Sequence, residues 1–73
     1  MPTQIVMDHS GDTRHHFDAG DAKGLLEAER RFKALTGAGF TAAVRETSGN
    51  VALIRSFDPN DDETVFFPRL VGG

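Results

Sequence analysis

The sequence predicts an α+β domain: a mixed sheet of four or five strands with one helix packed across it. Three observations carry that prediction. A single amphipathic helical pattern occupies residues 21–36. Short β-compatible segments flank it, two before and three after, punctuated by Gly, Asn, Asp and Pro. The chain has only 73 residues, and one near this length buries only about 60% of the surface it exposes when unfolded. One apolar helix face needs one apolar surface to cover, and a sheet is the economical partner for it.

Residues 3–9 (Thr-Gln-Ile-Val-Met-Asp-His) read as the first strand and residues 13–17 (Thr-Arg-His-His-Phe) as its return. Ser10-Gly11-Asp12 is the expected turn, since Gly supplies positive φ cheaply, and the whole reads as a hairpin. Asp18 or Asp21 can cap the helix, each offering a carboxylate to orphan backbone N–H groups. Leu25, Ala28, Phe32 and Leu35 recur at spacings of three and four and share one face. Ala22 and Leu26 widen that face, with Lys23, Glu27, Arg30 and Arg31 opposite. Glu27–Arg31 and Glu29–Lys33 are i,i+4 pairs in the favourable order, each adding about 0.2–0.5 kcal/mol. Gly37 stands where a helix C-terminal glycine belongs, and Gly39 reinforces the stop. Gly24 costs up to about 1 kcal/mol against Ala.

Residues 40–47 alternate as a strand, with Phe40, Ala42 and Val44 on one side and Thr41, Ala43 and Arg45 on the other. Ser48-Gly49-Asn50 is a turn, and residues 51–57 pair back. Asp58-Pro59-Asn60-Asp61-Asp62 is a polar loop. Residues 63–69 (Glu-Thr-Val-Phe-Phe-Pro-Arg) form the last strand. Pro68 cannot donate to a ladder and belongs near the end of pairing. The element order is therefore ββαβββ. A crossover joins residues 13–17 to residues 40–47, and the last strand is expected in the middle of the sheet beside the first.

Composition excludes several functions. There is no cysteine, hence no disulfide, thiolate metal site or thiol nucleophile. No apolar run approaches the roughly 18 residues of a membrane span. The start, Met1-Pro2-Thr3-Gln4, lacks the basic and then apolar blocks of a signal peptide, so a cytoplasmic, non-membrane protein is expected. Net charge is −3, from 8 basic and 11 acidic residues, without the basic footprint of a nucleic-acid binder. A core this small leaves little room for an enclosed pocket, and no spacing pairs a nucleophile with a base. No enzymatic activity, catalytic residue, metal or cofactor is expected.

Other constellations have ordinary readings beside sharper ones. His9 could approach His15 or His16 across the hairpin with Asp8 or Asp12 as oxygen ligand; adjacent His15 and His16 point to opposite faces, and exposed edge-strand histidines are the simpler account. Asp58, Asn60, Asp61, Asp62 and Glu63 lack the central Gly and the alternating spacing of a calcium loop, and read as a solvated turn. Phe57, Phe66 and Phe67 read as core rather than a stacking platform. Phe66 and Phe67 must face opposite sides of their strand, so one of them is a candidate partner-binding side chain.

The end of the chain carries the functional signal. After Arg69 come Leu70-Val71-Gly72-Gly73, two residues of which have no side chain and lose the most backbone entropy on ordering. Residues 1–69 are expected to form the domain and 70–73 a flexible tail. The run Phe66-Phe67-Pro68-Arg69-Leu70-Val71-Gly72-Gly73 resembles the last strand and tail of the ubiquitin-like β-grasp family. Within it the run is similar both to ubiquitin and to bacterial-type sulfur carriers such as the small subunit of molybdopterin synthase. The resemblance in element order spans the chain; in residues it spans about the last ten. It implies a β-grasp sheet and a partner, an ATP-dependent activating enzyme of the ubiquitin or sulfur-carrier type. It implies further that Gly73 carries the activated carboxylate, with Gly72 before it and Leu70, Val71 and Arg69 gripped by the partner. The product is either a thiocarboxylate or an isopeptide bond. A tight hairpin and acidic loop replace ubiquitin's longer excursion, and no counterpart of its exposed apolar patch is legible. The alternative is a small protein–protein interaction module with an inert tail.

Overall fold

The fold follows from a computed structural model in which the described residues are 2–45 and 48–68. The last two positions of the expected 40–47 strand, and the tail positions Arg69, Leu70, Val71, Gly72 and Gly73, lie outside them. In chain order the elements are β1 (Thr3–Asp8), β2 (Gly11–His16), α1 (Ala22–Gly37), β3 (Phe40–Arg45), β4 (Val51–Ile54) and β5 (Glu63–Pro68). The strands form one mixed five-stranded sheet whose lateral order, β2-β1-β5-β3-β4, differs from the chain order. β1 and β5 run parallel, while β1–β2, β3–β5 and β3–β4 are antiparallel. The last strand thus enters the centre, beside the first. This is an α+β domain consistent with a β-grasp-like arrangement.

The first hairpin is tighter than the sequence suggested. Asp8 pairs with Gly11, so the loop is His9-Ser10 rather than Ser10–Asp12. The Asp8 carboxylate accepts from the Ser10 backbone N–H at 2.8 Å and from the Ser10 hydroxyl at 2.5 Å, an Asx turn that sets the reversal. Gly11 follows with φ of 127°, a region that favours glycine. The hydrogen bonds from Ser10 also hold the Asp8 carboxyl below its ordinary range.

Of the two candidate caps, Asp21 caps the helix and Asp18 makes the turn before it. Asp21 is the N-cap and its Oδ2 accepts from the Gly24 N–H at 3.2 Å. Asp18 accepts from the Gly20 N–H through its side chain and from the Asp21 N–H through its carbonyl. Gly24 has a local reason: a Cβ there would sit 3.2 Å from the capping oxygen of Asp21. At the other end Gly37 is still helical, Ala38 is the cap, and Gly39 alone takes positive φ, at 102°. The stop is one turn residue later than expected, because Ala38 can close the helix by donating to the carbonyls of Ala34 and Leu35 without leaving the αR region.

The core lies between α1 and one face of the sheet. Phe32, Ala42 and Phe66 are its centre, with Val6, Leu35, Phe40, Ile54 and Phe57 against them. Phe66 is fully buried and meets Phe32 edge-on at 5.6 Å between ring centroids, a favoured aromatic geometry. β4 ends at Ile54, three residues short of the expected strand. Phe57 turns out of the ladder to stack on Phe32 and Phe17, with centroids 6.0 and 5.9 Å away. Its ring closes the end of the core that a straight strand would have left open. Leu26 and Ala22, expected on the buried helix face, are exposed: the sheet is reached by the narrower stripe centred on Ala28 and Phe32.

Two polar side chains, Gln4 and Thr64, are buried on that side of the sheet, and Gln4 reaches the helix. Gln4 of β1 has no exposed surface, donates its amide to the Ala28 carbonyl at 3.0 Å, and accepts from Arg31 Nη1 at 2.8 Å. Arg31 therefore reaches inward to the sheet, and the Glu27–Arg31 pair expected from sequence is replaced by this contact. Glu29–Lys33 does form, at 3.9 Å on the surface, where such a pair adds little.

Candidate functional site

Alternation along the strands assigns the two faces of the sheet. Gln4 reaches the helix, and Val6, Ala42 and Phe66 pack beneath it. Thr3, Ile5 and Met7 of β1 therefore face the opposite side. The registers Ile5↔Val65, Val65↔Ala43 and Ala43↔Leu53 carry that face across the sheet. Its middle row runs Arg14, Ile5, Val65, Ala43, Leu53. Val51 extends the apolar area on β4; Met7 and Phe67, one step past the Val6↔Phe66 pair, extend it on β1 and β5.

This open face is apolar and uncovered by the helix. Leu53, Val51 and Met7 expose 69%, 66% and 46% of their surface. Ile5 and Ala43 are buried in the floor, with Val65 and Phe67 half-buried between. Charged residues rim it: Asp12 and Arg14 at the β2 edge, 3.8 Å apart, and Arg45 beside β4. Scattered exposed apolar side chains are ordinary on a protein surface, but a contiguous patch with a polar rim marks an interaction surface.

The face settles the alternative at Phe66 and Phe67. Phe66 is fully buried and cannot serve as a partner contact: its side of β5 is the side α1 covers. Phe67 lies on the open side, half-buried, one residue before Pro68. Pro68 is the last paired residue of β5, opposite Phe40. Phe67 thus stands one residue before the end of β5, the strand that precedes Arg69, Leu70, Val71, Gly72 and Gly73 in sequence.

Sequence reading missed this surface, although its signal was present. The central strands carry apolar residues at consecutive positions (Ile5-Val6-Met7, Val65-Phe66-Phe67). A strand apolar on both faces needs two covers, and the chain supplies one helix.

The remaining constellations separate. His9 sits in the hairpin loop, whereas His15 pairs with Gln4 and His16 with Thr3 at the opposite end of the β1–β2 ladder. The ladder length keeps His9 from either. Among the described residues no cluster of three metal-ligating side chains occurs. His16 Nδ1 meets the Thr3 hydroxyl at 2.9 Å. The acidic loop forms a solvated turn in which Asp58 Oδ1 accepts from the Asn60 N–H at 2.9 Å. Burial first, then Asp58 and Asp62, raise the Asp61 carboxyl above its ordinary value. A surface groove of about 800 Å³ runs beside this loop. No histidine lines it, so its Ser48 has no imidazole base there. No described helix is long and apolar enough to cross a membrane.

His15, on the helix side of β2, yields a pH prediction. Burial, and then the nearby Arg31 charge, lower its pKa from 6.5. The folded state thus binds this proton less readily than the unfolded chain. The resulting stability is present above the unfolded value of 6.5 and is lost as pH falls through the depressed folded value. Urea midpoints measured downward from pH 7.5 should begin to fall as pH drops below 6.5 and level off below the folded value, and His15→Gln should flatten this part of the profile. An identical slope in the variant would refute the assignment.

No protein-family model matches this chain, and neither does any curated protein or solved structure.

Proposed function

We propose that the chain is a ubiquitin-like β-grasp protein, a small modifier or sulfur carrier activated at the Gly73 carboxylate by an ATP-dependent enzyme. The observation that carries the reading is the placement of β5. It lies between β1 and β3 at the centre of the sheet and is paired up to Pro68. The segment Arg69-Leu70-Val71-Gly72-Gly73 therefore follows a central strand paired on both sides. A tail anchored in this way can be drawn into a narrow channel while the domain stays folded, and the two glycines present no Cβ to the channel wall. Activation joins the carboxylate to AMP and releases pyrophosphate. A sulfide-level sulfur nucleophile or a protein amine then attacks the acyl carbon and displaces AMP, giving a thiocarboxylate or an amide.

The open apolar face supplies the second element such a substrate needs, a surface for the activating enzyme. Phe67 and Met7 lie at the end of that face where the parallel strands β5 and β1 finish. The same face supports the other reading, an interaction module with an inert tail, in which Phe67 and its neighbours contact the partner alone.

One experiment addresses both. The full chain and a chain lacking Gly72-Gly73, each tagged at the N-terminus, are expressed in the native host and their intact masses recorded. The expected result is an oxygen-to-sulfur exchange, or joining to larger proteins, seen only with both glycines present. Unmodified recovery of both forms, with partner capture lost in Phe67→Asp, overturns the tail reading in favour of the interaction module.

A further inference from the structure

The two edges of the sheet are built differently. The β2 edge, Gly11–His16, is almost wholly exposed and carries Asp12, Arg14, His15 and His16, which discourage another strand from adding to it. The β4 edge, Val51–Ile54, carries none of these devices. It has no Lys, no Pro and no charged residue, and Asn50 before it is also uncharged. Among the described residues β4 pairs only with β3, so alternate backbone N–H and C=O groups along its free side point outward. Val51 and Leu53, the two most exposed large apolar side chains among the described residues, stand on this strand.

We propose that β4 is a self-association edge: two copies of this chain join antiparallel through β4 about a two-fold axis, making one ten-stranded sheet. The axis passes at Ala52, which faces the second copy's Ala52. Val51 then lies opposite the second copy's Leu53, and Leu53 opposite its Val51. In this register opposed residues are of the same parity. Outward-pointing backbone groups therefore meet outward-pointing groups, and the open faces of the two copies lie on the same side. The two apolar faces merge into one continuous strip, and both helices stay on the opposite side.

Charge selects a second copy as occupant. The strand opposes itself with no ionised side chain between Asn50 and Ile54. Arg55 falls beyond the pairing, at the second copy's Ser48–Asn50 turn, so the two Arg55 groups stand at opposite ends of the seam. Pairing β4 with the β2 edge would instead set Leu53 and Val51 among Asp12, Arg14 and His16. That contact is also head-to-tail and does not close.

The experiment uses the full chain. Sedimentation equilibrium from micromolar to millimolar concentration should show a rise from the 7.9 kDa monomer to twice that mass and no further. Leu53→Lys and the double variant Val51→Lys/Leu53→Lys place charge on an exposed edge and should abolish the dimer, with unchanged circular dichroism. Register is read by Ala52→Cys, which is clean because the chain has no cysteine. Across the axis the two Cα atoms stand about 4.5–5.5 Å apart, within disulfide reach, so mild oxidation should give a covalent dimer. Leu53→Cys places its thiols two residues out of step and should not. A monomer at every concentration overturns the proposal. So does a dimer insensitive to the lysine variants, a mass growing past the dimer, or cross-linking through position 53 but not 52.

Discussion

Phe66→Ala should remove about 3–5 kcal/mol of stability, the usual cost of deleting a buried aromatic ring. A chain of this length, at roughly 0.05–0.15 kcal/mol per residue, holds only about 4–11 kcal/mol, so the variant should lose a large share of its stability and unfold at a much lower urea concentration. The cost is high because nothing can collapse into the space. Phe66 is fully buried in the central strand, and the Phe32 ring against it is itself held by Phe57. Phe67→Ala, one residue on, should cost about 1 kcal/mol or less, since that ring is half-buried on a face with no second layer. Urea titration of both variants measures the difference. Equal losses would mean that the two faces of β5 have been assigned wrongly.

The second large effect concerns the buried amide. Gln4→Ala should cost about 2–4 kcal/mol, combining a cavity with two lost hydrogen bonds. Gln4→Met should cost less, about 1–2 kcal/mol, because the thioether chain refills the volume. The groups it leaves behind have alternatives. The Ala28 carbonyl is within α1, and Arg31 is only half-buried and can return to water. Equilibrium denaturation should therefore order the three proteins wild type, Met, Ala. An Ala variant as stable as the Met variant would mean that the side chain's volume contributes no packing, and a Met variant as stable as wild type would mean that the amide contributes no pinning. The contact also fixes a relation that neither element fixes alone, since it ties β1 to the second turn of the helix across 24 residues of sequence.

Element type and order were legible in the sequence because period is a local property. The 3.6-residue stripe through Leu25, Ala28, Phe32 and Leu35 marks α1, and the turn residues bracket each strand. The central place of the last strand was an inference from topology rather than from any residue in it. Boundaries were less legible where tertiary contacts decide them. Phe57 continues the strand pattern locally, yet leaves β4 because Phe17 and Phe32 offer its ring a better site. Gly37 is a sound helix stop on local grounds, yet Ala38 closes the helix and Gly39 makes the turn. Arg31 belongs with Glu27 by spacing, yet Gln4, 27 residues away, takes it. The metal reading of the histidines failed on distance along a ladder, which requires the register. The open face required counting covers rather than reading patterns: consecutive apolar residues in β1 and β5 imply two buried faces, and one helix covers one.

A direct chemical trap tests whether the Gly73 carboxylate is activated with ATP. Purified full chain is incubated with lysate of the native host, ATP and hydroxylamine, and its intact mass is read. An acyl adenylate or thioester at Gly73 would be captured as the hydroxamate. The account predicts that mass only when ATP is present and only when Gly72 and Gly73 are present. An unchanged mass with ATP, or the same change on the chain lacking the two glycines, would contradict it.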